Sequence, residues 1–468
     1  MSGIIAHAAY LPYYRLDRSA IGATLGQPGG RGTRTVASYD EDTTTLAVEA
    51  GRRVLRSTEV EPAALTFSTA VPAYADKTNA SAIHAALRLP MSAPAFDAVG
   101  AARSGVGAVL AAASGGGPTL VTVADIRTGL PGSAEERDGG DAAAAFLVGS
   151  DADGPVVAEL LGSGSASAEF LDRWRAPGAP ASKVWEERFG EHAYLPLVEA
   201  ALGDALKRAG VEADAVDTTI LAGLSGRAVR SSGRALGPLG QKVVDDLSGT
   251  VGNTGTAHPW LLLSSVLETA GPGQTIALVV LADGCDVLLF RTTDAIAGYS
   301  VDDSVAGQLE SGSDGLDYAK FLTWRGFLDR EPPRRPDPER PAAPPALRAE
   351  TWKYGFVGSK DRSSGAIHLP PQRVSMQGGT VDDMVPVPMA DVPATIATYT
   401  VDRLAFSLSP PVVAAVIDFD GGGRFQCEVT DVDPAAVKIG DRVQMTFRRL
   451  FTADGVHNYF WKARPVAS

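Results

Sequence analysis

Ala95-Phe96-Asp97-Ala98-Val99-Gly100-Ala101-Ala102-Arg103-Ser104-Gly105 is the stretch on which the fold assignment turns. An apolar run ends there in a turn of small residues. The Ala/Gly-rich segment from Gly105 to Ala113 then predicts a helix. A strand-to-helix turn presents its residues at a helix N-terminus, where free N–H groups and the helix dipole stabilise an anion such as a thiolate. It is a natural seat for a nucleophile. This turn carries no cysteine.

Around that turn the composition is that of an ordinary globular protein, with 45% hydrophobic and 21% charged residues. At 468 residues more than one domain is expected, with ample length for a large core. Lys and Arg total 42 against 55 Asp and Glu, a net charge of −13. That balance argues against nonspecific nucleic-acid binding, though a local basic pocket for a phosphate is compatible with it. The two cysteines, Cys285 and Cys427, exclude a disulfide scaffold and fit a reducing compartment. Neither lies in a Cys-x-x-Cys pair, so a cysteine-based metal site is not expected. The N-terminus lacks a basic stretch leading into a long apolar core, and no window approaches 18 apolar residues. The expected location is the cytoplasm, with no membrane span.

Strand and helix patterns alternate along the first two thirds. Strands are expected at Ile4–Ala9, Leu65–Ala70, Thr119–Ala124 and Val156–Leu161, and Gly139–Val148 turns into another. Helices are expected at Thr43–Leu55, with Leu46, Ala47, Ala50 and Val54 as its buried stripe, and at Ala80–Leu87. A similar succession follows the charged segment Arg173–Glu191: helix Leu195–Arg208, strand Thr218–Ala222, helix Trp260–Thr269, and a strand pair Thr275–Ala282 with Val287–Arg291. This is a layered α/β arrangement. Glu331–Ala346 holds seven prolines and reads as an extended linker. Beyond it, Val401–Ser407, Val412–Asp418, Arg424–Thr430, Arg442–Arg448 and Tyr459–Ala463 are short strands with turn signals between them, which suggests a small five-stranded barrel.

The nucleophile turn resembles the Phe-Asp-x-x-x-Ala-Cys-x-x-Gly pattern of the thiolase superfamily, in particular hydroxymethylglutaryl-CoA (HMG-CoA) synthases and chain-initiating ketoacyl synthases. Ala102 stands in the cysteine slot. Ile417-Asp418-Phe419-Asp420-Gly421-Gly422-Gly423-Arg424, Thr430-Asp431-Val432-Asp433 and Ile439-Gly440-Asp441-Arg442-Val443 resemble the zinc-ribbon/OB-fold proteins that accompany thiolases. The resemblance implies a duplicated α/β/α/β/α domain over 1–328, a Pro-rich linker over 329–349, a ribbon hairpin over 350–382 and an OB-fold over 383–468. In the ribbon, the positions that carry sulfur in that family are Asp361, Ser364, Ser375 and Gly378. With His368 nearby, this set does not supply the four good ligands of a structural zinc. No metal is expected.

The resemblance also points to Gly252-Asn253-Thr254-Gly255-Thr256-Ala257, similar to the superfamily's asparagine motif. Asn253 is a candidate donor to an acyl carbonyl, or a helix cap, or both. The family histidine belongs in Ala222–Arg227 and the HMG-CoA synthase glutamate near Thr69–Pro72; neither segment contains one. Three other residues are candidates for residual chemistry. Ser104 lies two positions past the vacant slot, Cys285 sits on a glycine loop between Asp283 and Asp286 that would raise its pKa, and His258 lies five residues past Asn253.

A thiolase-fold protein without its Cys and His is expected to be a non-catalytic subunit of an acyl-CoA condensing complex, as a homodimer or as a heteromer with an active thiolase or ketosynthase. The alternative is an active acyltransferase or HMG-CoA synthase-like enzyme that uses non-standard residues. No cofactor is expected; acyl-CoA or an acyl carrier protein is the ligand implied. No nucleic-acid partner is expected.

Overall fold

β1, Ser2–Tyr10, buries every residue but its first, as a strand covered on both faces must. It belongs to the computed structural model of the chain, which describes residues 2–336 and 338–466, the Glu187 side chain excepted. Contacts divide the chain into two compact units. The first comprises Met1–Ala37, Glu49–Ser81 and Met91–Phe321; the second comprises Ser38–Val48, Ala82–Pro90 and Leu322–Ser468.

In the first unit β1 is joined by β2 (Ala64–Thr69), β3 (Ala95–Val99), β4 (Thr119–Ile126), β5 (Asp141–Ser150), β6 (Ala158–Ser167), β7 (Thr218–Gly223), β8 (Thr275–Leu281) and β9 (Gly284–Thr292). The sheet order is β7-β8-β9-β6-β1-β5-β4-β2-β3. It is one topology used twice. From β1 outward the pairings are antiparallel to β5, antiparallel to β4, then parallel to β2. From β6 outward they are antiparallel to β9, antiparallel to β8, then parallel to β7. β3 extends the first half, whereas among the described residues a lone parallel bridge, Thr219 to Val243, is all that follows β7. The halves meet at Gly3–Glu159 and Ile4–Ala158. Only glycine fits at position 3, since a Cβ there would lie 2.2 Å from the Ala158 carbonyl oxygen.

Helix α1, Thr43–Arg56, buries the expected stripe of Leu46, Ala47, Ala50 and Val54. Helices α2 (Ser104–Ala113) and α5 (His258–Leu267) occupy matching places in the two halves and share one core with β4, β5, β7, β8 and β9. The opposite faces of β7, β8 and β9 pack on α3 (Glu187–Ala209) and α4 (Gly226–Ala235). α3 starts well before the expected Leu195 and carries Pro196 inside it. Its early turns are held by tertiary contacts, with Glu191 paired to Arg227 at 2.8 Å and Tyr194 edge-on to Phe170.

In the second unit β10 (Val357–Asp361) lies between β11 (Ile367–His368) and β12 (Met384–Pro388) in a small sheet. A closed barrel follows, made of β13 (Ala394–Asp402), β14 (Val412–Phe419), β15 (Arg424–Val429), β16 (Arg442–Ala453) and β17 (Val456–Pro465). Its first strand is Ala394–Asp402, not Val401–Ser407. The Asp402 side chain accepts from the Leu404 and Ala405 N–H groups, and this turn ends the strand where the expected one begins. No helix among the described residues is long and apolar enough to cross a membrane.

Candidate active site

β3 runs into the turn over 100–103, where Gly100 has φ 115° and α2 begins at Ser104. Ala102 is buried in that turn. It lines a cavity of about 10 Å³ with Ala222, Gly223, Leu224, Asn253, His258 and others. That is room for about one water molecule. Ser104 lines neither this cavity nor the large cleft beside it.

The matching turn before α5 brings Asn253 to the same place. Its Nδ2 donates to the Gly223 carbonyl at 2.7 Å, and its Oδ1 accepts from the Gly255 N–H at 3.0 Å. Asn253 therefore ties the end of β7 to the α5 turn while lining the cavity. His258 stands beside it, 3% exposed, with Nδ1 accepting from the Thr254 N–H at 3.4 Å. Duplicated topology juxtaposes Ala102, Asn253 and His258 although 150 residues separate the two turns.

Cys285 goes elsewhere. It lies on β9 in the outer core against α3, with Tyr194 and Val287, and lines neither cavity. Burial first, and Asp286 second, pushes its thiol up to about 12. The neighbouring loop is held by Arg103, whose guanidinium grips Asp286 at 2.7 and 3.0 Å and donates to the Asp283 carbonyl.

Asp125, at the end of β4, organises the site without having been singled out in the sequence. One carboxylate oxygen accepts from Thr69 Oγ1 and the Ala70 N–H at 2.9 and 2.8 Å; the other accepts from the Thr256 N–H at 2.7 Å. It binds the Thr69–Ala70 segment to the turn that carries Asn253. Its only signal in the sequence is a charged residue ending an apolar strand, which is a common pattern.

The small cavity shares walls with a cleft of about 780 Å³. Arg127 and Arg173 both bind Glu135 in its wall. Burial alone would raise that carboxyl, but Arg173 and Arg127 bring it down to about 2. Two cations share one anion in this part of the wall, while Asp138, Asp172, Glu186 and Asp246 also line the cleft. Arg230 lines the cleft as an exposed cation, and Trp185 stands 59% exposed in the same wall.

In the ribbon, Asp361 is buried and accepts from Ser364 Oγ at 2.6 Å and the Ser363 N–H at 2.9 Å. The Ser364 and Ser375 hydroxyls hold its carboxyl at about 2. One carboxylate and two hydroxyls already bonded in the chain do not suit a structural zinc. Among the described residues no group of three or more His, Cys, Asp or Glu is placed to hold a metal ion.

A nine-stranded sheet made of one topology repeated, with two helix-opening turns facing each other at a cavity, defines a thiolase-type α/β protein. Solved structures with this fold include MvaS in complex with 3-hydroxy-3-methylglutaryl coenzyme A, at a TM-score of 0.58 and 20% identity over 72% of this chain and 94% of that one. The HMG synthase of the curacin biosynthetic pathway, in complex with apo donor-ACP, gives a TM-score of 0.57 at 19% identity over 69% and 88%. The hydroxymethylglutaryl-CoA synthase of Aeropyrum pernix is 30% identical over 312 residues, which cover 63% of this chain and 86% of that enzyme. The chain belongs to the hydroxymethylglutaryl-CoA synthase family. Residues 386–448 match the family described as ChsH2, C-terminal OB-fold domain, so the barrel is an OB-fold.

Proposed function

We propose that this chain is a non-catalytic, acyl-thioester-binding member of its family that works as a subunit of an acyl-CoA condensing complex. The observation that carries this reading is that Ala102, at the turn beside Asn253, lines a void the size of a single water. A methyl group forms no thioester. Ser104 and Cys285, the other candidate nucleophiles, do not line the cavity. General acid/base groups contribute roughly 10²–10⁴-fold to such reactions, and the segments 222–227 and 69–72, where the resemblance places the family's own, contain neither His nor Glu.

Ligand binding is a separate matter. The cleft is large enough for an extended thioester, and Arg127, Arg173 and Arg230 suit the phosphates of coenzyme A. The solved relatives bound to 3-hydroxy-3-methylglutaryl coenzyme A and to a donor carrier protein support a thioester ligand of either kind. β3 is an edge strand that displays Phe96 at 62% and Val99 at 45% exposure. An uncovered, partly apolar edge suits pairing with a second thiolase-fold chain, either another copy or an active thiolase or ketosynthase. The ribbon, in this reading, folds on hydrogen bonds at Asp361, Ser364 and Ser375 instead of zinc.

Two measurements test this. Purification from the native host followed by mass spectrometry should show a thiolase or ketosynthase in a fixed ratio; a chain that elutes alone counts against the subunit role. Incubation with radiolabelled acetyl-CoA should leave no covalent label after denaturation, and a stable adduct would overturn the non-catalytic reading.

A further inference from the structure

His258 is buried, opens a helix, and lines both the large cleft and the small void beside Ala102. Because Nδ1 accepts from the Thr254 N–H, the ring proton resides on Nε2. That Nε2 has no hydrogen-bond partner among the described residues. Unlike the sealed Nε2 atoms of His7 and His368, it keeps some accessible surface, on a residue that lines the cavity and the cleft. Burial lowers the imidazole to about 4, so near neutral pH the ring is an uncharged donor. With its lone pair engaged at Nδ1, it has none left for a proton from substrate. The void it borders holds about one atom of oxygen size and no acyl chain.

We propose that the Nε2–H of His258 donates to the carbonyl oxygen of a short acyl thioester, received in the space that Ala102 leaves open. The proposal rests on the thioester-binding reading above and gives that site its selectivity. A neutral donor polarises and recognises a carbonyl without moving a proton. The site therefore distinguishes a thioester from a thioether of the same length and charge.

The experiment is calorimetric titration of the full chain with acetyl-CoA and with S-ethyl-CoA, which lacks the carbonyl. One neutral hydrogen bond predicts that acetyl-CoA binds roughly three- to tenfold tighter. His258→Ala should bring that ratio to about one while leaving S-ethyl-CoA affinity unchanged, and His258→Gln, which keeps an N–H at a similar reach, should restore part of it. A ratio of one in the unsubstituted protein, or a ratio that His258→Ala does not alter, overturns the role of His258 and leaves thioester binding standing. If neither ligand binds, the thioester reading itself falls and this proposal with it. Should His258→Ala fail to fold, ¹⁵N NMR of the unsubstituted protein decides. Nε2 must be the protonated nitrogen and must shift with acetyl-CoA but not with S-ethyl-CoA; any other pattern refutes the proposal.

Discussion

Replacing Arg448 by Met should loosen the second unit more than any other single change to a charged residue in the barrel. Arg448 is fully buried on β16, and its guanidinium meets Glu41 at 2.9 Å, Asp40 at 3.4 Å and Asp431 more closely. Lys462, on β17, binds Asp40 at 2.9 Å and Glu428 at 2.7 Å. Three buried carboxylates are thus served by two buried cations, and Met leaves only one. Removing one partner of a buried ion pair costs about 3–5 kcal/mol, because the stranded charge remains desolvated. That is a large share of a typical domain stability of about 5–15 kcal/mol. Hydrogen exchange read by mass spectrometry on the full chain is the suitable assay, since two units need not unfold together. Amides of β16 should exchange ~10²–10⁴-fold faster, and those of 38–48 should follow, because that segment holds carboxylates of the cluster. Acid should act in the same direction on the unsubstituted protein. Burial would raise the Asp40 carboxyl, but Lys462 and Arg448 hold it well below the usual range. Its contribution is present above the unfolded-state carboxylate value and is lost as pH falls toward the folded one. A change below tenfold in β16, or a loss of protection confined to β16, would refute the buried-cluster account.

Three other outcomes are expected. Glu268, raised by burial from 4.5 to about 7, stabilises the fold in its protonated form. Up to about 3 kcal/mol is therefore present below pH 4.5 and lost as pH rises through 7, and Glu268→Gln should flatten the melting temperature between pH 5 and 8. Gly105→Ala places a Cβ 2.8 Å from Trp260 Nε1. Overpacking of roughly 1–3 kcal/mol should outweigh the helix gain of about 0.5–1 kcal/mol, lowering the melting temperature and altering near-ultraviolet circular dichroism. Phe96→Glu on the exposed edge strand should abolish self-association or partner capture in sedimentation while leaving the melting temperature within a degree or two, since Phe96 is 62% exposed.

The strand-to-helix turn at 95–105, the alternation of strands and helices and the acidic balance were all legible in the chain, because they depend on neighbours a few residues apart. The five-stranded barrel was legible in kind but misplaced at its first strand. Asp402 bonds to the two N–H groups just beyond it, and a local turn of that type competes with an apolar alternation that continues past it. α3 was read short because its first turns rest on Arg227 and Phe170, which belong to other elements. The effect on Cys285 was expected from its flanking carboxylates. Burial against α3 proves the larger cause, and burial is a property of packing.

Sequence sufficed for the identity of the residues at the positions that matter: alanine at 102 in the strand-to-helix turn, and Asp361, Ser364, Ser375 and Gly378 beside the small C-terminal sheet. Covalent capacity belongs to the residue itself, and no fold can restore it. What the folded chain alone could establish is proximity. Asn253, His258 and Ala102 share one cavity because a repeated sheet topology sets two helix-opening turns against each other, and Asp40 lies in the same buried cluster as Arg448, 408 residues away. Such meetings depend on chain closure over long separations, which neither hydrophobic period nor local motif encodes.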